Sequence, residues 1–380
     1  MSTLRRRWMF LVPGALVLAL VVAAGIVRYD AGRIDSVVVG AREAGDCTTV
    51  QLAAAQFDSL HRIVAAGKAK RAKEDVAACD RLDGADAEFK AALWSTTGQA
   101  KGALGVLDQV LADPRQRGTT TAVLDDFLAN LRVTDSCSAV VLADQLQARK
   151  VSPVLQERIR SALVEIEPAA LRACAAERMK DSAWDEAHNL YRRAVDRYPD
   201  DLRAGEARAG AVKANQQQEL ENVQELIDDP ESYCDSPARY SAAPPYRRGL
   251  NRAVVLGSSI ENYAARLPKQ WRTNDAAAAT TVTCAEVAMG KAVRTCPYLP
   301  KLGFESIYVT FHKMVLSLKV YELRTGKRVV NKKILVDGLA CPNTLHYQSS
   351  TGFSDPDPAQ FVVVPDKNLR AAFQPSIVRP

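Results

Sequence analysis

No charged residue interrupts the chain from Trp8 to Val27, and Arg5, Arg6 and Arg7 stand immediately before that run. As a helix, a run of this length covers roughly 30 Å, the thickness of a bilayer's hydrocarbon core. The pattern predicts a transmembrane anchor over residues 8–27 and a cytoplasmic tail over residues 1–7. The arginines hold that tail inside, which makes the protein a single-pass plasma-membrane protein with the bulk of the chain extracytoplasmic. A cleaved signal peptide fits the same order of basic, apolar and small residues. The run exceeds the roughly 7–15 residues of a signal-peptide core, which favours a retained anchor.

From residue 28 to 229 the chain is rich in Ala, Leu, Arg, Glu and Gln, strong helix formers with apolar residues at helical spacing. Leu52, Ala55, Gln56, Ser59, Leu60 and Ile63 trace one imperfect stripe, and Ala103, Leu107, Val110 and Leu111 trace another, closed by Asp113 and Pro114. A helix over Thr119 to Leu131 begins on threonines able to cap it. The segment Pro168 to Pro199 reads as two helices with a break at Lys180–Ala183. Pro168 would sit in the first turn, Asp181 or Ser182 would cap the second helix, and Pro199 would stop it.

Ala187, Tyr191, Ala194 and Pro199 follow the small–aromatic–small–proline order of the second half of a tetratricopeptide repeat, and this stretch resembles that family. Phe89 to Pro114 looks like a degenerate second copy. An ordinary antiparallel helical hairpin accounts for the same pattern. The resemblance implies a curved helical array binding a protein or peptide on its concave face, with no individual binding residue carried over.

Pro230, Pro237, Pro244 and Pro245 crowd a connection over residues 230–270, and a β pattern follows over residues 271–380. Thr280–Val287 and Val293–Cys296 read as a hairpin turning at Gly290. Ile307–Phe311 and Val315–Leu323 follow, then a Thr325–Gly326 turn into Val329–Val336, and a short helix over Asp366 to Ile377. The expected fold class is α+β: an N-terminal transmembrane helix, a helical repeat-like array and a C-terminal antiparallel sheet of at least five strands. The segments CDSPARYSAAPPY at Cys234–Tyr246, LPKQW before the strand holding Cys284, and YELRTGKRV followed by Cys341 resemble membrane-anchored, cysteine-containing repeat proteins of high-GC actinobacteria. That resemblance implies the layout and brings no activity with it.

Composition sharpens this picture. Hydrophobic residues at 47% and charged residues at 25% suit a folded protein. The net charge of +6 includes the three arginines of the tail, so the remainder carries too little charge to suggest nucleic acid as a partner. Cys47, Cys79, Cys137, Cys174, Cys234, Cys284, Cys296 and Cys341 make an even number without a C-x-x-C pair, which in an exported chain reads as disulfides. Buried free thiols are the bland alternative. The expected pairs are Cys47–Cys79 and Cys137–Cys174 among the helices, and Cys284–Cys296 across the Gly290 hairpin. Cys234–Cys341 remains by exclusion.

Motifs that carry chemistry are few. The chain has no G-x-S-x-G, H-E-x-x-H, phosphate-loop or dinucleotide-binding motif, so no catalytic, cofactor-binding or metal residue is assigned. Asp355 and Asp357 lack the glycine and terminal glutamate of a calcium loop. Cys341 with His346 is better read as half a disulfide than as a nucleophile and base. Arg324, Lys327, Arg328, Lys332 and Lys333 form a basic hairpin, either a solvated edge or a contact for a polyanion. The expected function is a non-catalytic envelope scaffold that binds a protein or peptide on its helices. An exported hydrolase with its site in the β-domain and a polyanion-binding module are the alternatives.

Overall fold

The computed structural model describes residues 4–94, 100–132, 134–257, 259–299, 305–347 and 356–379, with side chains from residue 17 onward except that of Pro230. The protein is α+β and divides into two compact units, Met1–Ala211 and Val212–Pro380. The proline crowding after Asp229 points to a border there. Contacts place it inside a helix, so residues 212–229 pack with the second unit.

The first unit is helical: α1 (Leu4–Ala44), α2 (Cys47–Ala54), α3 (Ser59–Val64), α4 (Ala66–Leu93), α5 (Lys101–Leu111), α6 (Arg117–Leu131), α7 (Ser136–Ala148), α8 (Pro153–Lys180), α9 (Trp184–Arg197) and the start of α10 (Ala204–Asp228). Ala31, Ile34, Val38 and Ala41 bury one face of α1 against Val50, Ala53 and Phe57. Among the described residues no helix is long and apolar enough to cross a membrane. Residues 8–16 of the expected anchor lie outside those with described side chains, and Val17, Leu18, Leu20, Val21, Val22 and Ile26 are exposed. Gly45 ends α1 with φ +80°, and a Cβ there would come within 2.5 Å of the Ala122 methyl. Asp46 then caps α2 by accepting from the Thr49 amide at 2.9 Å.

Ala78, Leu82, Ala85, Phe89 and Ala92 recur at three- and four-residue spacing on α4 and form the main core with α5 to α8. The stripe read through Leu52, Leu60 and Ile63 is not buried. Those three are exposed, and Val50, Ala53 and Phe57 carry the packing. Thr119, Thr120 and Thr121 are buried inside α6 rather than capping it, because the 3₁₀ turn Pro114–Gln116 leads directly into the helix. Pro168 does not start a helix either. It lies within the 28 residues of α8, while the break before α9 falls at Asp181–Ala183, with Ser182 at φ +58° and no side-chain cap.

The second unit takes the rest of α10, then α11 (Pro230–Asp235), β1 (Gly249–Leu250), β2 (Ala253–Leu256), α12 (Glu261–Ala264), β3 (Thr281–Tyr298), β4 (Ile307–Glu322), β5 (Lys327–Val336), β6 (Ala359–Phe361), α13 (Asp366–Ile377) and β7 (Val378–Arg379). The five-stranded sheet runs β2-β3-β4-β5, with β6 beside β4. It is mixed, not purely antiparallel, because β2 runs parallel to β3 and β6 parallel to β4. On one face Leu316, Leu318 and Phe311 pack with Leu369, Phe373 and Ile377 of α13. On the other, Val282, Cys284 and Tyr321 pack with Val223 and Ile227 of α10 and with Tyr233.

The predicted hairpin at Gly290 does not form. Thr280–Val287 and Val293–Cys296 belong to one 18-residue strand, β3, and Ile307–Phe311 and Val315–Leu323 merge into β4. Gly290 instead marks a bulge, where the β3–β4 register shifts between Met289 and Ala292. A Cβ at that glycine would lie 3.0 Å from the Lys313 carbonyl oxygen, so its function is close approach of strands, not turning. The turn at Thr325–Gly326 forms as expected, with Gly326 at φ +68°.

All eight cysteines are bridged. Cys47–Cys79 and Cys137–Cys174 are the pairs anticipated among the helices. The other two pairs are exchanged, to Cys234–Cys284 and Cys296–Cys341. The reason is the continuity of β3: Cys284 and Cys296 stand twelve positions apart on it, a span of about 40 Å in an extended strand, far beyond the reach of a disulfide.

Candidate functional site

Polar chemistry in the first unit concentrates where α7, α8 and α9 meet. Glu167 follows Leu163 and precedes Leu171 by four residues each, which puts its carboxylate on the buried stripe of α8. The side chain is fully buried. Four donors reach it: Gln147 Nε2 at 2.6 Å, Arg193 Nη2 at 2.8 Å, Arg197 Nη1 at 2.7 Å and the Tyr198 hydroxyl at 2.6 Å. Burial alone would raise the carboxyl's pKa. The Tyr198 and Arg193 hydrogen bonds, with the nearby Arg197 charge, outweigh it and hold the group below the ordinary carboxylate range. Burial, and then the bond to Glu167, pushes the Tyr198 phenol well up. Arg193 also grips Asp144 with both terminal nitrogens, which ties α7 to α9.

A carboxylate offers about four lone-pair sites, and the four donors occupy that capacity. Glu167 is therefore unsuited to accept a proton as a base, and its effect is to fix the three helices against each other. Beside this network lies a cleft of about 340 Å³, with Leu146, Ile159 and Leu163 along its floor and Arg149, Arg160, Arg197 and Tyr198 around it. Among the described residues no aspartate or glutamate lines it. A second cleft of about 320 Å³ is lined by Leu131, Ile166 and small residues of α8, beside the Arg132–Glu165 ion pair.

In the second unit, the basic residues picked out in the sequence are all exposed, with Arg324 in the turn and Lys327, Arg328, Lys332 and Lys333 on β5. Strand alternation divides them. Lys332 is opposite Leu318 and Lys333 opposite Ser317, on opposite faces of the sheet, and Lys327 is opposite Glu322. Cys341 is bonded to Cys296 and carries no thiolate to pair with His346. Among the described residues no group of His, Cys, Asp or Glu is arranged to hold a metal ion. Asp355 lies outside the described residues.

Glu167, Arg149, Arg193 and Arg197 belong to none of the motifs that stand out in the sequence. For Glu167 a signal was present, a charge at an interior position of an apolar stripe and immediately before a mid-helix proline. The arginines gave none, because only folding brings them together. No family model, curated protein or solved structure matches this chain.

Proposed function

We propose that the protein is a non-catalytic scaffold of the cell envelope, held in the plasma membrane by residues 8–27, whose extracytoplasmic helices bind a protein or peptide. The observation carrying this reading is the open cleft on the α7–α9 helices, beside a buried network whose acid is saturated with donors and so unsuited to catalysis. Four disulfides accord with an oxidising compartment. The exposed apolar residues from Val17 to Ile26 accord with an anchor. The tetratricopeptide-like reading draws support from Ala187 and Ala194, both buried, and from Tyr191. The tyrosine ring lies so close to Gly210 that a Cβ there would come within 2.6 Å of it.

Photocrosslinking in intact cells tests the binding face. A probe replacing Gln156, which lines the cleft, should give a discrete protein adduct, whereas one replacing Lys333 on β5 should give none. Adducts from Lys333 alone, or from neither position, would overturn the reading. Protease added to intact cells should remove the chain beyond Arg28. A soluble form starting near Gly25 or Ile26 would instead establish cleavage of the N-terminal segment.

A further inference from the structure

The α7–α9 cleft is unusual in the balance of its charges. Arg197 is already met by Glu167 at 2.7 Å and by Asp144 at 3.5 Å. Arg160 pairs with Glu157 at 2.5 Å, but both side chains are about two-thirds exposed. Solvent screens such a pair, so an incoming anion competes for Arg160 easily. Arg149 has no hydrogen bond or ion pair among the described residues, although it is half-buried. The C-terminus of α7 favours a cation there, but this does not account for where the guanidinium lies. It rests over Gly105 of α5, with Nη2 only 2.8 Å from the place a Cβ would occupy. The glycine makes room for it.

The cleft therefore offers an apolar floor, one cation without a direct ion pair and one weakly held cation, with no acid lining it among the described residues. Its volume of about 340 Å³ is at the small end of ligand-sized pockets, which run from about 300 to 1,000 Å³. One aliphatic side chain with its backbone fits this scale. The two available guanidinium groups stand on different elements, Arg149 just after α7 and Arg160 on α8. An apolar residue flanked by acids offers a separate carboxylate to each.

We propose that this cleft recognises an acidic–aliphatic peptide segment, seating one aliphatic side chain on Leu146, Ile159 and Leu163 and placing flanking carboxylates on Arg149 and Arg160. The proposal rests on the scaffold reading and specifies its ligand. Arg149 supplies the charge-assisted bonds, and Gly105 sets the position of its guanidinium.

Selection of a displayed random heptapeptide library on the full chain in detergent tests it. Enriched peptides should carry Asp or Glu next to Leu, Ile or Val, and should bind more weakly as salt is raised. Affinity for such a peptide should fall at least tenfold in Arg149→Gln and several-fold in Gly105→Ala, and stay unchanged in Lys333→Gln. Gly105→Ala keeps the charge and improves helix propensity, so a loss there reports displacement of the guanidinium and not unfolding. Circular dichroism of each variant checks the fold. Neutral or basic peptides, no enrichment at all, or binding of octanoate without any enriched peptide would overturn the proposal. Enriched peptides indifferent to Arg149 and Gly105 would also overturn it, yet leave the scaffold reading standing on another surface.

Discussion

Cys284 and Cys296 lie on the same strand, β3, but pack into different cores. Cys284 joins the cluster with Val282, Tyr321 and Tyr233, and Cys296 the one with Val309, Phe311 and Phe373. The register shifts between Met289 and Arg294 separate the two environments, since Cys284 pairs with Lys319 and Cys296 with Val309. Each cysteine ties its own face of the sheet to a different segment, at Cys234 of α11 and at Cys341. Peptide mapping without reduction should recover Cys234–Cys284 and Cys296–Cys341 as separate linked pairs. A Cys284–Cys296 fragment would refute the continuous strand. Replacing Cys234 and Cys284 together by serine should cost about 4 kcal/mol on the chain-entropy estimate for a fifty-residue loop, seen as a lower Tm of the second unit.

Glu167 should be among the most sensitive positions of the helical unit. Replacing it by alanine leaves Arg193 and Arg197 with Asp144 as their one remaining carboxylate and the Tyr198 hydroxyl without its acceptor. Loss of one partner in a buried ion pair costs about 3–5 kcal/mol. The two arginines retain 22% and 41% exposure, so solvent recovers part of that and about 2–3 kcal/mol is expected. Tyr198→Phe removes one bond to a charged acceptor and should cost about 1.5 kcal/mol. Urea unfolding followed by helical circular dichroism measures both. An effect below the error of the method in Glu167→Ala would show the network to be ornamental.

The same carboxylate makes stability depend on pH. Its pKa is below the ordinary value of 4.5 in the folded chain and returns to that value on unfolding. Above this range both states are ionised and the stabilisation is fully present. As pH falls below it the unfolded chain binds the proton first, and stability declines until the folded carboxyl protonates as well. Asp46 and Asp135, held low by their cap hydrogen bonds from Thr49 and Ser138, act in the same direction. Between pH 7 and pH 3 the stability gap between the wild type and Glu167→Gln should therefore narrow. A gap constant with pH would contradict the depressed carboxyl.

Phe89 and Phe127 stack at 4.2 Å between ring centroids, with planes 17° apart, in the core of the first unit. Phe89→Ala should cost about 3–5 kcal/mol from lost burial and the cavity left behind. Chemical denaturation measures it, and a cost under about 1 kcal/mol would mean the two rings are not packed together.

Gly257 has φ +142°, and a Cβ there would lie 2.0 Å from the Ala285 carbonyl oxygen. Neither the conformation nor the space admits a side chain, because the close neighbour is backbone and cannot swing away. Gly257→Ala should destabilise the second unit by about 3 kcal/mol. A thermal melt showing no change would place the loop differently.

The sequence by itself determined what depends on short-range pattern. Helix formers at helical spacing specified a helical first part, and the break before Trp184 and the bounds of α13 at Asp366 and Ile377 could be read directly. Cysteines on neighbouring helices gave Cys47–Cys79 and Cys137–Cys174. Tertiary structure decided the rest. Gly290 has the same letters whether it turns a chain or lets two strands approach, and only pairing with β4 across the Lys313 carbonyl selects the second. Pro168 reads as a helix start, yet it is buried within the 28 residues of α8. The candidate cleft was least legible of all, because Arg149, Arg160 and Arg197 are unremarkable surface letters in three separate elements. Packing of Leu146, Ile159 and Leu163 sets them around one floor. A local pattern records which face of an element is apolar, but not which other face will be brought against it.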